Sequence, residues 1–437
     1  MNTAPPFVQG SPKSATGLRR PLAFLSEQLT WPTSLSSWLF AGSLTLSPLH
    51  DFSVAEHVSF GDVFFMLAVL TAFGERLFRR EAIPVLPIYL AVMSALFVCY
   101  VVNHVGREDD QFSSFMVIFT MLALFPQAML MLRISGQEEM KFMVYAWMVG
   151  GLISSFFVIG YCNGMFSSHL DWFWYWDHRA RGLTPTPNRL GLNCYMTLPG
   201  LLLMISSSRT LFGKTVGLAL IGVTLKALDY SGSRAGMVAA LIVGGAWGLM
   251  QLWDSSKSGR VHRIQGANLV AWIGLLFLAF AGYCAATGNV PFLQGTFNRL
   301  LEGDGISDYG RSDLNKRAWA GFLDNPIFGE GYQWFGVFQP NVAHNIYLQY
   351  LNSVGLIGFV AFLIVIIYPL IYPIKKQFSI DNTEFRTLNM PLLAAAVALL
   401  AWLKPQSGFT NYEGLLVVGL LSYISVWRLY DPPNARD

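Results

Sequence analysis

The feature that most constrains this chain is a succession of apolar stretches, each close to the length that crosses a lipid bilayer. A hydrocarbon core takes about 20 apolar residues per helix. Twelve candidates recur along the 437 residues, at roughly 31–48, 60–77, 83–102, 113–132, 142–162, 188–207, 213–228, 235–253, 267–286, 345–373, 388–403 and 410–428. They are continuously apolar, which excludes barrel strands of about ten alternating residues. Charged residues make up 13% of the chain and hydrophobic residues 53%, whereas soluble domains carry about 25% charged residues. An ordinary cytosolic enzyme, a disordered chain and a basic nucleic-acid-binding domain are excluded. The sequence therefore predicts an all-α, polytopic membrane protein with about 12 transmembrane helices.

Charge placement orients the spans. With the N-terminus inside and the spans alternating, eighteen of the 29 Lys and Arg residues face the cytoplasm, with at least two in or at the edge of every cytoplasmic loop and tail. This is the positive-inside pattern. It predicts cytoplasmic termini and a large periplasmic loop between spans nine and ten. The expected divisions are a cytoplasmic arm (1–30), nine spans (31–286) with an interfacial segment at 163–187, the loop (287–344), three spans (345–428) and a cytoplasmic tail (429–437). Most of the remaining eleven cations cluster around 179–189, 226–234 and 299–317, and eight of the eleven are Arg. Arg on the outer side opposes the usual bias. Its fixed fork of donors suits phosphate, so these clusters predict an anion site.

The four cysteines, Cys99, Cys162, Cys194 and Cys284, have no metal-type spacing and predict neither a disulfide framework nor a zinc site. The run Trp172-Phe173-Trp174-Tyr175-Trp176 suits the membrane–water interface. The long loop shows two helical patterns, one on Leu293, Phe297, Leu300 and Leu301. The other opens at Ser312 as N-cap, with Asp313 in its first turn, and carries Leu314, Ala318 and Phe322. A structured loop of this length is usually functional.

Residues 310–363 are the most specific stretch. Gly310-Arg311 precedes a helix carrying Trp319, followed by Asn325-Pro326 and Gly329-x-Gly331. Then His344-Asn345-x-Tyr347-Leu348 opens a hydrophobic helix bearing Gly355 and Gly358. Asn345, Gln349 and Asn352 follow one face of that helix, with Ser353 beside them. Such a polar stripe is costly against lipid, so it is expected to face a cavity. Upstream lie Arg181-Gly182 with Thr186-Pro187-Asn188-Arg189-Leu190-Gly191, and Ser231-Gly232-Ser233-Arg234-Ala235-Gly236.

Together these stretches resemble the signature of the O-antigen ligase family, membrane glycosyltransferases that also include some O-antigen polymerases and bacterial O-oligosaccharyltransferases. The His-Asn helix carries most of the resemblance. It implies a glycan donor on undecaprenyl diphosphate and a sugar hydroxyl acceptor on lipid A–core, both at the periplasmic leaflet of a Gram-negative inner membrane. Departure of the lipid diphosphate builds negative charge on the bridging oxygen, which Arg side chains can offset in place of a metal. No cofactor or metal is expected; Asp171, Asp177, His169 and His178 are the only close outer-face set. The expected catalytic residues are His344, Arg234 and Arg311. The expected substrate-binding residues are Arg181, Asn188, Arg317 and Asn345, and Lys404 is a weaker candidate for an acceptor phosphate. His344 would act either as general base or as a cationic phosphate ligand. An O-antigen polymerase, a protein O-oligosaccharyltransferase and an anion transporter are the competing readings.

The predicted topology has a direct test. A cysteine introduced at Ser307 should react with a membrane-impermeant maleimide added from the periplasmic side, and one at Ser255 should not; the reverse pattern would invert the orientation.

Overall fold

The computed structural model describes residues 31–49, 53–55, 58–84, 86–104, 115–116, 119–134, 136–166, 173, 179–208, 210–257, 305–331, 345–379, 383–403 and 412–426. Helices dominate them. In chain order they are α1 (Leu35–Leu46), α2 (Phe60–Phe78), α3 (Pro87–His104), α4 (Phe125–Met131), α5 (Gly136–Cys162), α6 (Pro187–Ser207), α7 (Leu211–Ser231), α8 (Arg234–Lys257), α9 (Gly305–Asp324), α10 (Ile346–Ser379), α11 (Thr383–Leu403) and α12 (Tyr412–Val426). A π-helical turn at Thr120–Leu124 leads into α4. The all-α expectation needs one small addition: a two-stranded antiparallel hairpin pairs Ser53–Ala55 with Val58–Ser59 just ahead of α2.

Eleven of the twelve apolar segments coincide with these helices, and 267–286 lies outside the described residues. Among the described residues five helices are long and apolar enough to cross a membrane: α5, α6, α7, α8 and α10. Others are shorter apolar helices, such as α1 and α12, and α2 carries Asp62, Glu75 and Arg76. Local sequence explains several helix starts. Ser59 and Asp62 form a reciprocal capping box on α2, Thr186 caps α6 with Pro187 in its first turn, and Thr210 caps α7. Each side-chain cap satisfies a backbone N–H that the helix itself leaves unpaired.

The helix α6 sits at the centre, packing against α5, α7, α8 and α11. From there α11 leads to α10, and α10 packs on α3, α9 and α12. Large apolar side chains such as Met66, Leu70, Phe97, Leu241, Leu249 and Ile371 point away from the core. Helices apolar on both faces are the pattern of a protein whose surroundings are lipid.

One predicted element differs in kind. The stretch 345–373 reads in the sequence as a single straight span, but α10 is broken at Gly355, which adopts φ 61° and ψ −164°. A straight helix would set residues 350 and 362 about 18 Å apart along its axis, yet the Tyr350 and Phe362 rings stack at 4.2 Å. The first part of α10 therefore folds back against the second. A break exposes backbone donors and acceptors that an apolar medium cannot satisfy. The segment after α9 supplies the partners: Glu330 N–H donates to the Asn352 carbonyl at 2.7 Å and Gly331 N–H to the Ser353 carbonyl at 3.0 Å. In return, Leu356 N–H donates to Pro326 at 2.9 Å and Ile357 N–H to Ile327 at 3.3 Å. From α3, Asn103 Nδ2 holds the Phe328 carbonyl at 2.8 Å and the Cys99 thiol donates to the Val354 carbonyl at 3.6 Å.

This junction explains the Asn-Pro…Gly-x-Gly motif. Gly329 also has positive φ (76°), and a Cβ there would lie 2.5 Å from the Ser353 carbonyl carbon. A Cβ on Gly355 would run into the Ile327 carbonyl. Gly355→Ala should therefore destabilise the protein by about 1–3 kcal/mol, read as a lowered thermal unfolding midpoint in detergent. An unchanged midpoint would show that the break carries no strain.

Candidate functional site

The site is built where the starts of α6 and α8 cross. A Cβ on Gly191 would meet Ser233 Cβ and Oγ, both at 2.6 Å, and one on Gly236 would lie 3.0 Å from Gly191 Cα. Only two glycines let the helix backbones approach so closely. The crossing brings the Arg-Gly…Asn-x-Leu-Gly stretch beside the Ser-Gly-Ser-Arg stretch. Between α7 and α8 the chain turns through Ser231-Gly232-Ser233, where the Ser231 hydroxyl accepts from Ser233 N–H at 3.1 Å and the Ser233 hydroxyl accepts from Gly236 N–H at 3.2 Å. Arg234 is thereby the first residue of α8, half-buried at the positive end of a 24-residue helix.

The segment before α6 is tied to this turn. Ala180 N–H donates to the Tyr230 carbonyl at 3.0 Å, and Arg181 N–H donates to Phe173 at 3.1 Å. Phe173, one of the run of aromatics, is fully buried against Tyr161, with ring centroids 3.9 Å apart. The neighbours Trp172, Trp174, Tyr175 and Trp176 lie outside the described residues. The half-buried Arg181 turns Nη1 back to the Pro185 carbonyl at 3.4 Å. Arg189, in the first turn of α6, is half-buried too. Below them Lys226 pairs with the buried Asp229 at 3.1 Å and lies over the Tyr230 ring.

The start of α10 belongs to the same end of the molecule. Tyr347 Oη donates to the Leu400 carbonyl near the end of α11 at 2.6 Å, and the neighbouring Trp402 meets Tyr195 of α6. Asn345 caps α10: its Oδ1 accepts from Tyr347 N–H at 3.1 Å and Leu348 N–H at 3.4 Å. The polar stripe turns inward, with Gln349 and Asn352 1% exposed and Ser353 0%. These side chains therefore face protein rather than lipid, and Asn352 packs where a Cβ on Gly321 of α9 would lie.

Of the residues selected from the sequence, Arg181, Asn188 and Arg234 come together at the crossing, and Asn345 lies beyond α11 at the same end. Arg317 stands exposed on α9, which packs on α10. Arg311 lies within α9. His344 and Lys404 lie outside the described residues, as do Asp171, Asp177, His169 and His178. The helix α9 starts at Gly305, so Ser312 is inside it and is not its N-cap. Its inward face does use Leu314, Ala318 and Phe322, as the spacing predicts.

Two contributors escape sequence reasoning. Asn103 reaches a loop 225 positions along the chain, and no local pattern announces such a contact. Arg179 was visible only as one more cation; its guanidinium joins Ser231 to Asn188.

Residues 219–363 match the family model described as O-antigen ligase. The matched region spans the Ser-Gly-Ser-Arg turn, α8, α9, the junction segment and the broken start of α10. A search of curated proteins found no match. The crossing has a test of its own: Gly236→Val should force α6 and α8 apart and destabilise the protein by about 1–3 kcal/mol, whereas Gly245→Val on the open face of α8, with nothing near its Cβ position, should change the unfolding midpoint little.

Proposed function

We propose that this chain, which carries the O-antigen ligase family region at 219–363, is a membrane glycosyltransferase. It would move polysaccharide from undecaprenyl diphosphate to a sugar hydroxyl of lipid A–core at the periplasmic face of a Gram-negative inner membrane. The observation that supports this most is the crossing at Gly191 and Gly236. It gathers half-buried Arg residues from two separate motifs at the end of the bundle where α10 begins. Such a rim suits a diphosphate.

In this reading the acceptor hydroxyl oxygen attacks the anomeric carbon. The bond from that carbon to the diphosphate oxygen breaks, and undecaprenyl diphosphate leaves with the electron pair. The hydroxyl proton passes to the His344 imidazole. Direct attack inverts the anomeric configuration. Arg234, with the positive end of α8 behind it, and Arg311 hold the charge that grows on the diphosphate. Arg181, Arg317, Asn188 and Asn345 bind the substrates. Each hydrogen bond to a charged group contributes on the order of 1.5–3 kcal/mol, so a few Arg residues supply a large part of the barrier reduction without a metal.

In a reconstituted assay with the lipid-linked donor and lipid A–core, His344→Ala and Arg234→Ala should each lower transfer by at least about a hundredfold while the protein still inserts. Full activity in either variant would remove that residue from the reaction. Transfer should persist in a chelator; dependence on added metal would overturn the Arg-for-metal mechanism. As a base, His344 must be neutral, so the rate should rise as pH is raised through the neutral range. A rate that falls over that range would make His344 a cationic phosphate ligand. Deleting the gene should leave lipid A–core uncapped while lipid-linked polymer accumulates, and loss of polymer length would indicate a polymerase.

A further inference from the structure

We infer that Arg179 is a positioning residue that aims the Asn188 amide group at the substrate, a role that rests on the proposed transferase reading of the same site. The half-buried guanidinium of Arg179 reaches two places at once. Its Nε donates to the Ser231 carbonyl at 2.8 Å and its Nη2 donates to Asn188 Oδ1 at 3.0 Å. Ser231 ends α7, and a helix leaves its last carbonyls without partners. A cation that fills that vacancy also suits the negative end of the helix.

The second bond decides which way Asn188 faces. Guanidinium can only donate, so the oxygen of the carboxamide must turn toward Arg179. The NH₂ then points the other way. Among the described residues no hydrogen bond engages that NH₂. Asn188 lies in the first turn of α6, one turn from the glycine where α6 crosses α8. Arg179 thus locks a pure donor into the rim that also holds Arg181 and Arg234, and it ties that donor to the turn from which Arg234 emerges. Without the latch the carboxamide is free to rotate and present its oxygen to an anion, which would repel it.

The role differs in a measurable way from a direct contact between Arg179 and the diphosphate. The full-length protein, reconstituted with undecaprenyl-diphosphate-linked polysaccharide and lipid A–core, is assayed as wild type, Arg179→Ala, Arg179→Lys, Asn188→Ala and the Arg179→Ala/Asn188→Ala double variant. Each alanine variant should lower kcat/KM for the donor by about tenfold to a hundredfold, and the double variant should be no worse than the weaker single. Lysine keeps the charge but cannot span both Ser231 and Asn188, so Arg179→Lys should be nearly as impaired as Arg179→Ala.

Losses that multiply in the double variant, or near wild-type activity with lysine, would make Arg179 a ligand in its own right and overturn the proposal. Unchanged transfer in Arg179→Ala would do the same. Thermal unfolding separates positioning from simple fold support: a drop in kcat/KM accounted for by unfolded protein overturns the inference, and a drop with the folded fraction preserved supports it. A wild-type chain that transfers nothing from this donor defeats the transferase reading itself, and the positioning role falls with it.

Discussion

The structure depends on one requirement: backbone N–H and C=O groups must find partners where no water is at hand. An unbroken helix meets that requirement by itself. α10 does not, because Gly355 turns the chain back and leaves donors and acceptors on both sides of the break. Residues 326–331 answer them in both directions, and α3 secures the arrangement through Asn103 and Cys99. The Asn-Pro…Gly-x-Gly motif is thus a backbone partner to a distant helix. Its Gly329 stands where a side chain would collide with that helix.

The break has a consequence for the rim. It sets a short helical piece, capped by Asn345, beside the end of α11, with Tyr347 bonded to the Leu400 carbonyl. On the other side of α11 lie α6 and α8, crossing at two glycines. The proposed chemistry needs a proton acceptor and a cluster of fixed cations near one another. Two unusual backbone devices, a reversal and a close crossing, bring the start of α10, the end of α11 and the starts of α6 and α8 to one end of the bundle.

Fixed cations are costly to gather because they repel one another, and the surroundings of each matter. Here Arg181 folds onto its own loop and Arg179 spends two donors on Ser231 and Asn188. Lys226 is neutralised by Asp229. The rim is therefore not an undifferentiated positive patch. Some of its charges are committed to structure, and this commitment orients its neighbours.

The sequence by itself determined the class of environment and the helices. Charge scarcity and apolar length are properties of each segment, and Ser59, Thr186 and Thr210 mark helix starts through contacts within four residues. It also marked Arg181, Asn188 and Arg234, because their motifs are short and local. What it could not contain was the fold-back at Gly355, the burial of Phe173, the early start of α9 and the reach of Asn103. The fold-back, the burial of Phe173 and the reach of Asn103 are each decided by another element: the segment 326–331, Tyr161 of α5 and the Phe328 carbonyl. Periodicity reports which face of a helix is apolar, but only the packed structure decides which distant backbone group that face, or a break in it, will meet.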